Sequence, residues 1–112
     1  MKQYVILKRV NTYHDFNSIY ATHSHMTVEG IYTNFLEAVG KSTLIFKESI
    51  DSQIRQVDGQ FHEFERTDFA SKEDDDDVCY WSVSLIPNTN SSLKYSLLIM
   101  VSIMEYDPFK EV

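Results

Sequence analysis

Glycine, proline and cysteine are scarce in this 112-residue chain, at three, two and one. The glycines, Gly30, Gly40 and Gly59, stand too far apart to build a phosphate-cradling loop. Neither the dinucleotide fingerprint nor the Walker pattern is present, which excludes the familiar nucleotide enzymes. One thiol, Cys79, cannot form a disulfide framework and fits a reducing compartment. Long apolar runs are also missing. The longest, residues 97–101, falls far short of the ~20 residues a membrane-spanning helix needs. The opening residues hold no apolar run of signal-peptide length and no small-residue cleavage site, so a cytoplasmic protein is expected. Basic clusters are lacking as well. The ten Lys and Arg are scattered, with Lys8-Arg9 the only adjacent pair, which argues against direct nucleic-acid binding and against an anionic membrane surface.

What the chain does have is acid in one place. Residues 58–77 carry nine acidic and two basic residues, a local excess equal to the net charge of the whole protein, −7. The remaining 92 residues hold eight of each sign and are neutral. The run peaks in Glu73-Asp74-Asp75-Asp76-Asp77, directly before a strongly apolar segment. Charge confined to one stretch makes a negative pole, which can steer and dock a cationic partner.

Apolar content of 43% over this length predicts one ordered globular domain spanning residues 1–112. Residues 4–10 alternate loosely and read as a first strand; 19–32 read as a second, antiparallel to it, with Gly30 at a possible bulge. In that second strand Tyr20, Met26, Val28 and Tyr32 fall on one face, and Ile19, Ala21, His23, His25 and Ile31 on the other. Asn34 and Glu37 have the spacing of a capping box. Behind them Leu36, Val39, Thr43, Phe46, Ile50, Ile54 and Val57 form one stripe of a helix over 34–57, which Asp58-Gly59 stops. Gly40 weakens the middle of that helix, where a kink is possible. Residues 60–70 read as a bulged strand and 71–77 as a polar loop. Residues 78–86 alternate cleanly, with Cys79, Trp81, Val83 and Leu85 inward and Tyr80, Ser82 and Ser84 outward. After a turn at 87–92 comes a last strand, 93–106. The expected fold is α+β, a mostly antiparallel sheet of four or five strands with one long helix on one face, in the order ββαβββ. Both faces of the last strand are apolar, Tyr95/Leu97/Ile99/Val101/Ile103 and Leu98/Met100/Met104. One helix covers one face, so Leu98, Met100 and Met104 must lie under a loop or meet a second copy of the chain through the sheet.

Residues able to carry chemistry are few. His23 and His25, two apart in a strand, point to one side and are the candidate metal pair, with His14, Asp15 or His62 as third ligand. The simpler reading is two solvent-facing polar residues. Cys79 is in phase with Trp81 and Val83, so a buried, inert thiol is expected rather than a nucleophile. Glu63 and Glu65 could act as an acid–base pair or grip a divalent ion, but they belong to the acidic run, and solvated edge charge explains them without catalysis. The Asp run lacks the spaced oxygens, Gly and closing Glu of a calcium loop.

In size, acidity and lack of catalytic motifs the chain resembles the small accessory proteins of phages and mobile elements that inhibit host defence complexes. That likeness covers no specific motif and transfers no residue. The expected function is a non-enzymatic protein-binding module without cofactor. Glu63, Glu65, Asp68, Glu73, Asp74, Asp75, Asp76, Asp77 and Tyr80 would dock on a basic surface of a larger protein, for instance a nucleic-acid-handling one. Two alternatives stand beside it. One is a small-molecule-binding domain, its pocket between sheet and helix or at a dimer seam and lined by Trp81, Tyr32, Tyr95 and Phe46. The other is a metal-dependent hydrolase built on His23 and His25.

Overall fold

The alternation of the chain resolves into five strands and one helix in a computed structural model that describes residues 2–15, 18–71 and 77–107, with backbone alone at 77 and 78. The elements are β1 (Gln3–Tyr13), β2 (His23–Tyr32), α1 (Phe35–Gln56), β3 (Phe61–Ser71), β4 (Asp77–Pro87) and β5 (Ser96–Tyr106). They form one antiparallel sheet in the spatial order β2-β1-β5-β4-β3, an α+β fold in the predicted order ββαβββ. The first and last strands pair at its centre. β2 and β3 are its two edges, and α1 carries the chain from one edge to the other across one face. The predicted loop at 71–77 falls mostly outside the described residues.

The helix begins where Asn34, in extended backbone, accepts the Glu37 backbone N–H on its side chain at 3.0 Å. It ends where Asp58 and Gly59 turn left-handed (φ 53° and 76°) and the Gly59 N–H reaches the Ile54 carbonyl at 2.9 Å. The face it buries differs from the predicted stripe in its first half. Ala38, Ser42, Phe46 and Ile50, four apart, are the buried residues, while Leu36 is 78% exposed and Thr43 points to solvent. Small side chains at 38 and 42 let the backbone approach the sheet closely. Apolar weight alone overlooks such positions. α1 runs unbroken through Gly40, and a Cβ built there meets nothing within 4 Å. Gly40→Ala is therefore expected to stabilise the protein by about 0.5–1 kcal/mol, because alanine loses less backbone entropy on becoming helical. Urea denaturation reads this directly, and a loss of stability would contradict it.

The core lies between α1 and the sheet face carrying Ile6, Cys79, Trp81, Val83, Leu85, Leu97, Ile99, Val101 and Ile103. This bears out the inward set foreseen for residues 78–86 and the first apolar face of the last strand. In β2 the outcome is different. The register slips between Ile6 and Leu7, leaving Glu29 as an extra residue beside Gly30. One extra residue inverts the alternation that follows it. Met26, Val28 and Ile31 consequently share the open face, and Tyr32 joins the helix side, whereas simple alternation had put Ile31 with the histidines.

The same bulge turns Glu29 toward Lys8, 3.1 Å away, and the Thr27 hydroxyl donates to it at 2.8 Å. The hydroxyl first, and then Lys8, hold the Glu29 carboxyl below its ordinary value of 4.5, against partial burial that pushes it up. A depressed folded value means stability that is complete above the unfolded pKa and lost as pH falls through the folded one. Glu29→Gln should make the decline of Tm between about pH 5 and pH 3 shallower than in the wild type. Equal slopes would show that the arrangement adds nothing.

Candidate functional site

The acidic pole is built on β3. This strand is an edge, and two register shifts distort its pairing with β4, between Phe64 and Thr67 and between Thr67 and Ala70. Each shift holds one residue in left-handed backbone, Glu65 (φ 54°) and Phe69 (φ 53°), a conformation that costs a non-glycine residue of the order of 1 kcal/mol or more. The bulges curl the strand around the margin of the core. Phe69 meets the Trp81 ring edge-on at 5.5 Å, and the Arg66 guanidinium lies 5.3 Å from the centre of the Phe46 ring. These contacts close the β4 side of the core, since α1 lies over β5, β1 and β2. Bulges and charge also keep an edge strand from pairing with neighbouring molecules.

Arg66 ties up two of the nine carboxylates of the pole. Its Nε donates to Asp68 at 2.8 Å and its Nη1 to Glu63 at 2.7 Å. The hydrogen bond to Asp68, and then that to Glu63, hold the guanidinium above its ordinary range. Glu63 and Glu65, two apart, do not act as a pair. Glu63 joins Arg66 on the helix side, whereas the bulge carries Glu65 to the open face, where it makes no ion pair among the described residues. Asp77 opens β4 opposite Met104. Tyr80, half-buried, faces the open side near Met100 and Met104. Glu73, Asp74, Asp75 and Asp76 lie outside the described residues.

The open face is the second feature. Leu98, Met100 and Met104 are only partly covered, and Met26 and Val28 remain 47% and 61% exposed beside them. Among the described residues its surface dips at the following two places. A hollow of about 700 Å³ between Tyr13, Phe64, Glu65, Ser84 and Leu98 is framed by Ile19 of the β1–β2 connection. A smaller one of about 300 Å³ is walled by methionines around Arg9. Arg9 is exposed and makes no ion pair among the described residues. The sequence signal for it was the pair Lys8-Arg9 in an alternating strand, which places Lys8 toward the helix and Arg9 on the opposite face.

The other candidate residues resolve into structural roles. Trp81 and Phe46 are 2% and 1% exposed, packed in the core rather than lining a pocket between sheet and helix. Cys79 is buried. His23 and His25 are exposed on the helix side of the edge strand β2. The His14 ring meets His23 edge-on at 6.1 Å and Tyr95 at 5.9 Å, and Tyr95 in turn meets Phe61 at 5.4 Å. His62 Nδ1 lies 2.8 Å from the Asn88 side-chain oxygen. Asn88 also donates to the Gly59 carbonyl, pinning the 88–95 loop to the end of the helix. Among the described residues no three His, Cys, Asp or Glu side chains come together as a metal site would require. No helix there is long and apolar enough to cross a membrane. No family model matches the chain, and neither does any curated protein or solved structure.

Proposed function

We propose that this chain is a non-enzymatic protein-binding module whose acidic segment, residues 58–77, docks on a basic surface of a larger protein. The reading rests on one observation: the whole net charge of the protein is gathered in a stretch whose described part includes an exposed edge strand, and among the described residues a single arginine there bonds two of its carboxylates. Acidic groups along such an edge match the Lys/Arg grooves that hold nucleic-acid backbone. Occupying a groove of that kind releases its counterions and blocks it. A nucleic-acid-handling or defence complex is the class of partner this chemistry suits, and inhibition is the consequence.

The test is capture of a partner by the immobilised chain at two salt concentrations, about 50 mM and about 300 mM, between which screening of exposed charge strengthens markedly. A specific basic partner held at low salt, weakened at high salt, and retained poorly when Asp74, Asp75, Asp76 and Asp77 are all changed to Asn supports the reading. Capture indifferent to both changes ends it.

A further inference from the structure

The open face of the sheet is self-complementary in charge and in side-chain size, and we propose that it pairs with the same face of a second copy of this chain, about a two-fold axis running between β4 and β5. Such an axis lies parallel to the strands in the plane between the two sheets. It sets β5 over the partner's β4 and β1 over the partner's β3, so that each contact occurs twice, as an isologous interface requires.

Size is the first argument. Across β4 and β5 the open-face neighbours are Tyr80 with Ser102, Ser82 with Met100, and Ser84 with Leu98. Each of these three rows joins one large side chain to one small one. Rotation about an axis between these strands exchanges the two positions, so Met100 meets the second copy's Ser82, Leu98 its Ser84, and Tyr80 its Ser102. Outside this pair Leu7 of β1 and Ala70 of β3 stand in the Tyr80–Ser102 row, and the same rotation superposes them. Facing layers that alternate large with small interdigitate without voids, as sheets packed about 10 Å apart need.

Charge is the second. Among the described side chains the face presents two formal charges, Arg9 and Glu65, neither of them ion-paired there. Arg9 stands in the row of Met100, Ser82 and Thr67, and Glu65 sits in the bulge beside Thr67. They are three strands apart, roughly 14 Å at 4.8 Å per strand, and lie on either side of the proposed axis. The rotation brings each Arg9 onto the second copy's Glu65. The left-handed backbone at Glu65 thereby acquires a purpose, since the bulge carries this carboxylate onto the open face.

Area is the third. β1, β3, β4 and β5 are 11 residues each. At about 3.3 Å per residue and 4.8 Å between strands they present roughly 700 Å² per copy, about 1,400 Å² in total, above the ~1,000 Å² expected of a specific interface.

Sedimentation or light scattering of the intact chain at about 100 μM tests this against variants of the two exposed charges. The wild type should run at twice its 13.1 kDa mass. Arg9→Glu and Glu65→Arg, each of which turns two attractive contacts into repulsive ones, should each weaken self-association at least about 30-fold. An equimolar mixture of the two variants should recover the dimer, since the reversed charges again face opposites. Far-UV circular dichroism establishes that both variants are folded. A monomeric wild type, a dimer indifferent to both substitutions, or a mixture no tighter than its components would overturn the proposal.

Discussion

Phe46→Ala should lower the free energy of unfolding by about 3–5 kcal/mol, the range for deleting a buried aromatic ring. The ring is 1% exposed and sits at the third of the four positions by which α1 meets the sheet. Its neighbours cannot collapse into the space it would leave. One wall is the backbone-hydrogen-bonded sheet, and α1 is held at its ends by the Asn34 cap and the Gly59 N–H. The Arg66 guanidinium over the ring would lose its platform too, a contact worth about 0.5–1 kcal/mol at a partly exposed site. A domain of this size is stable by about 5–15 kcal/mol, so the variant should unfold well below the wild-type temperature. Urea titration of Phe46→Ala beside Phe46→Leu measures the effect, with the leucine variant retaining most of the stability. A loss under about 1 kcal/mol would mean that α1 is not anchored through this ring.

Changing Asp74, Asp75, Asp76 and Asp77 to Asn should slow association with the captured basic partner by about 10–100-fold at low salt, with a much smaller change in dissociation. Asn keeps the shape and removes the field, and a field acts chiefly on the encounter. The difference between wild type and variant should close as salt rises, because the screening length falls from about 10 Å at 0.1 M to about 3 Å at 1 M. The structure supplies the control. Glu63 and Asp68 both bond Arg66, so Glu63→Gln with Asp68→Asn removes two carboxylates whose field one guanidinium already partly cancels. That pair should change the association rate far less than the four aspartates. If it changed the rate as much per charge removed, the effect would follow net charge and not a docking segment.

The two proposed surfaces meet at Glu65. Dimerisation through the open face would use Glu65 and Arg9, while Glu63 and Asp68 turn to the helix side and stay outside that seam. A paired sheet would carry two acidic poles, one per copy, and two linked weak contacts bind with a higher effective concentration than either alone.

Much was legible in the order of the residues because the signals involved are local. The Asn34–Glu37 spacing and Asp58-Gly59 bound the helix to within a residue at each end, since a cap and a left-handed stop act on neighbouring backbone groups. Alternation in 78–86 placed four core residues because strand side chains point to opposite faces in turn. The uneven charge along the chain needed no fold to be seen. What stayed hidden depended on pairing. The slip at Glu29 exchanged Ile31 and Tyr32 between faces. The two slips in β3 parted Glu63 from Glu65, and nothing in the order of residues says where a ladder takes an extra one. Ala38 and Ser42 became the helix contacts through close approach, which depends on what lies opposite.

Local chemistry, then, decided on its own the class of fold, the ends of the helix, the inward residues of β4 and the unequal distribution of charge. Tertiary structure decided the spatial order of the strands, and with it the placement of the acidic strand at an edge. It also decided the company of Arg9, Glu65 and Met100 on one uncovered face, because those neighbours are far apart in the chain and meet only through pairing between strands.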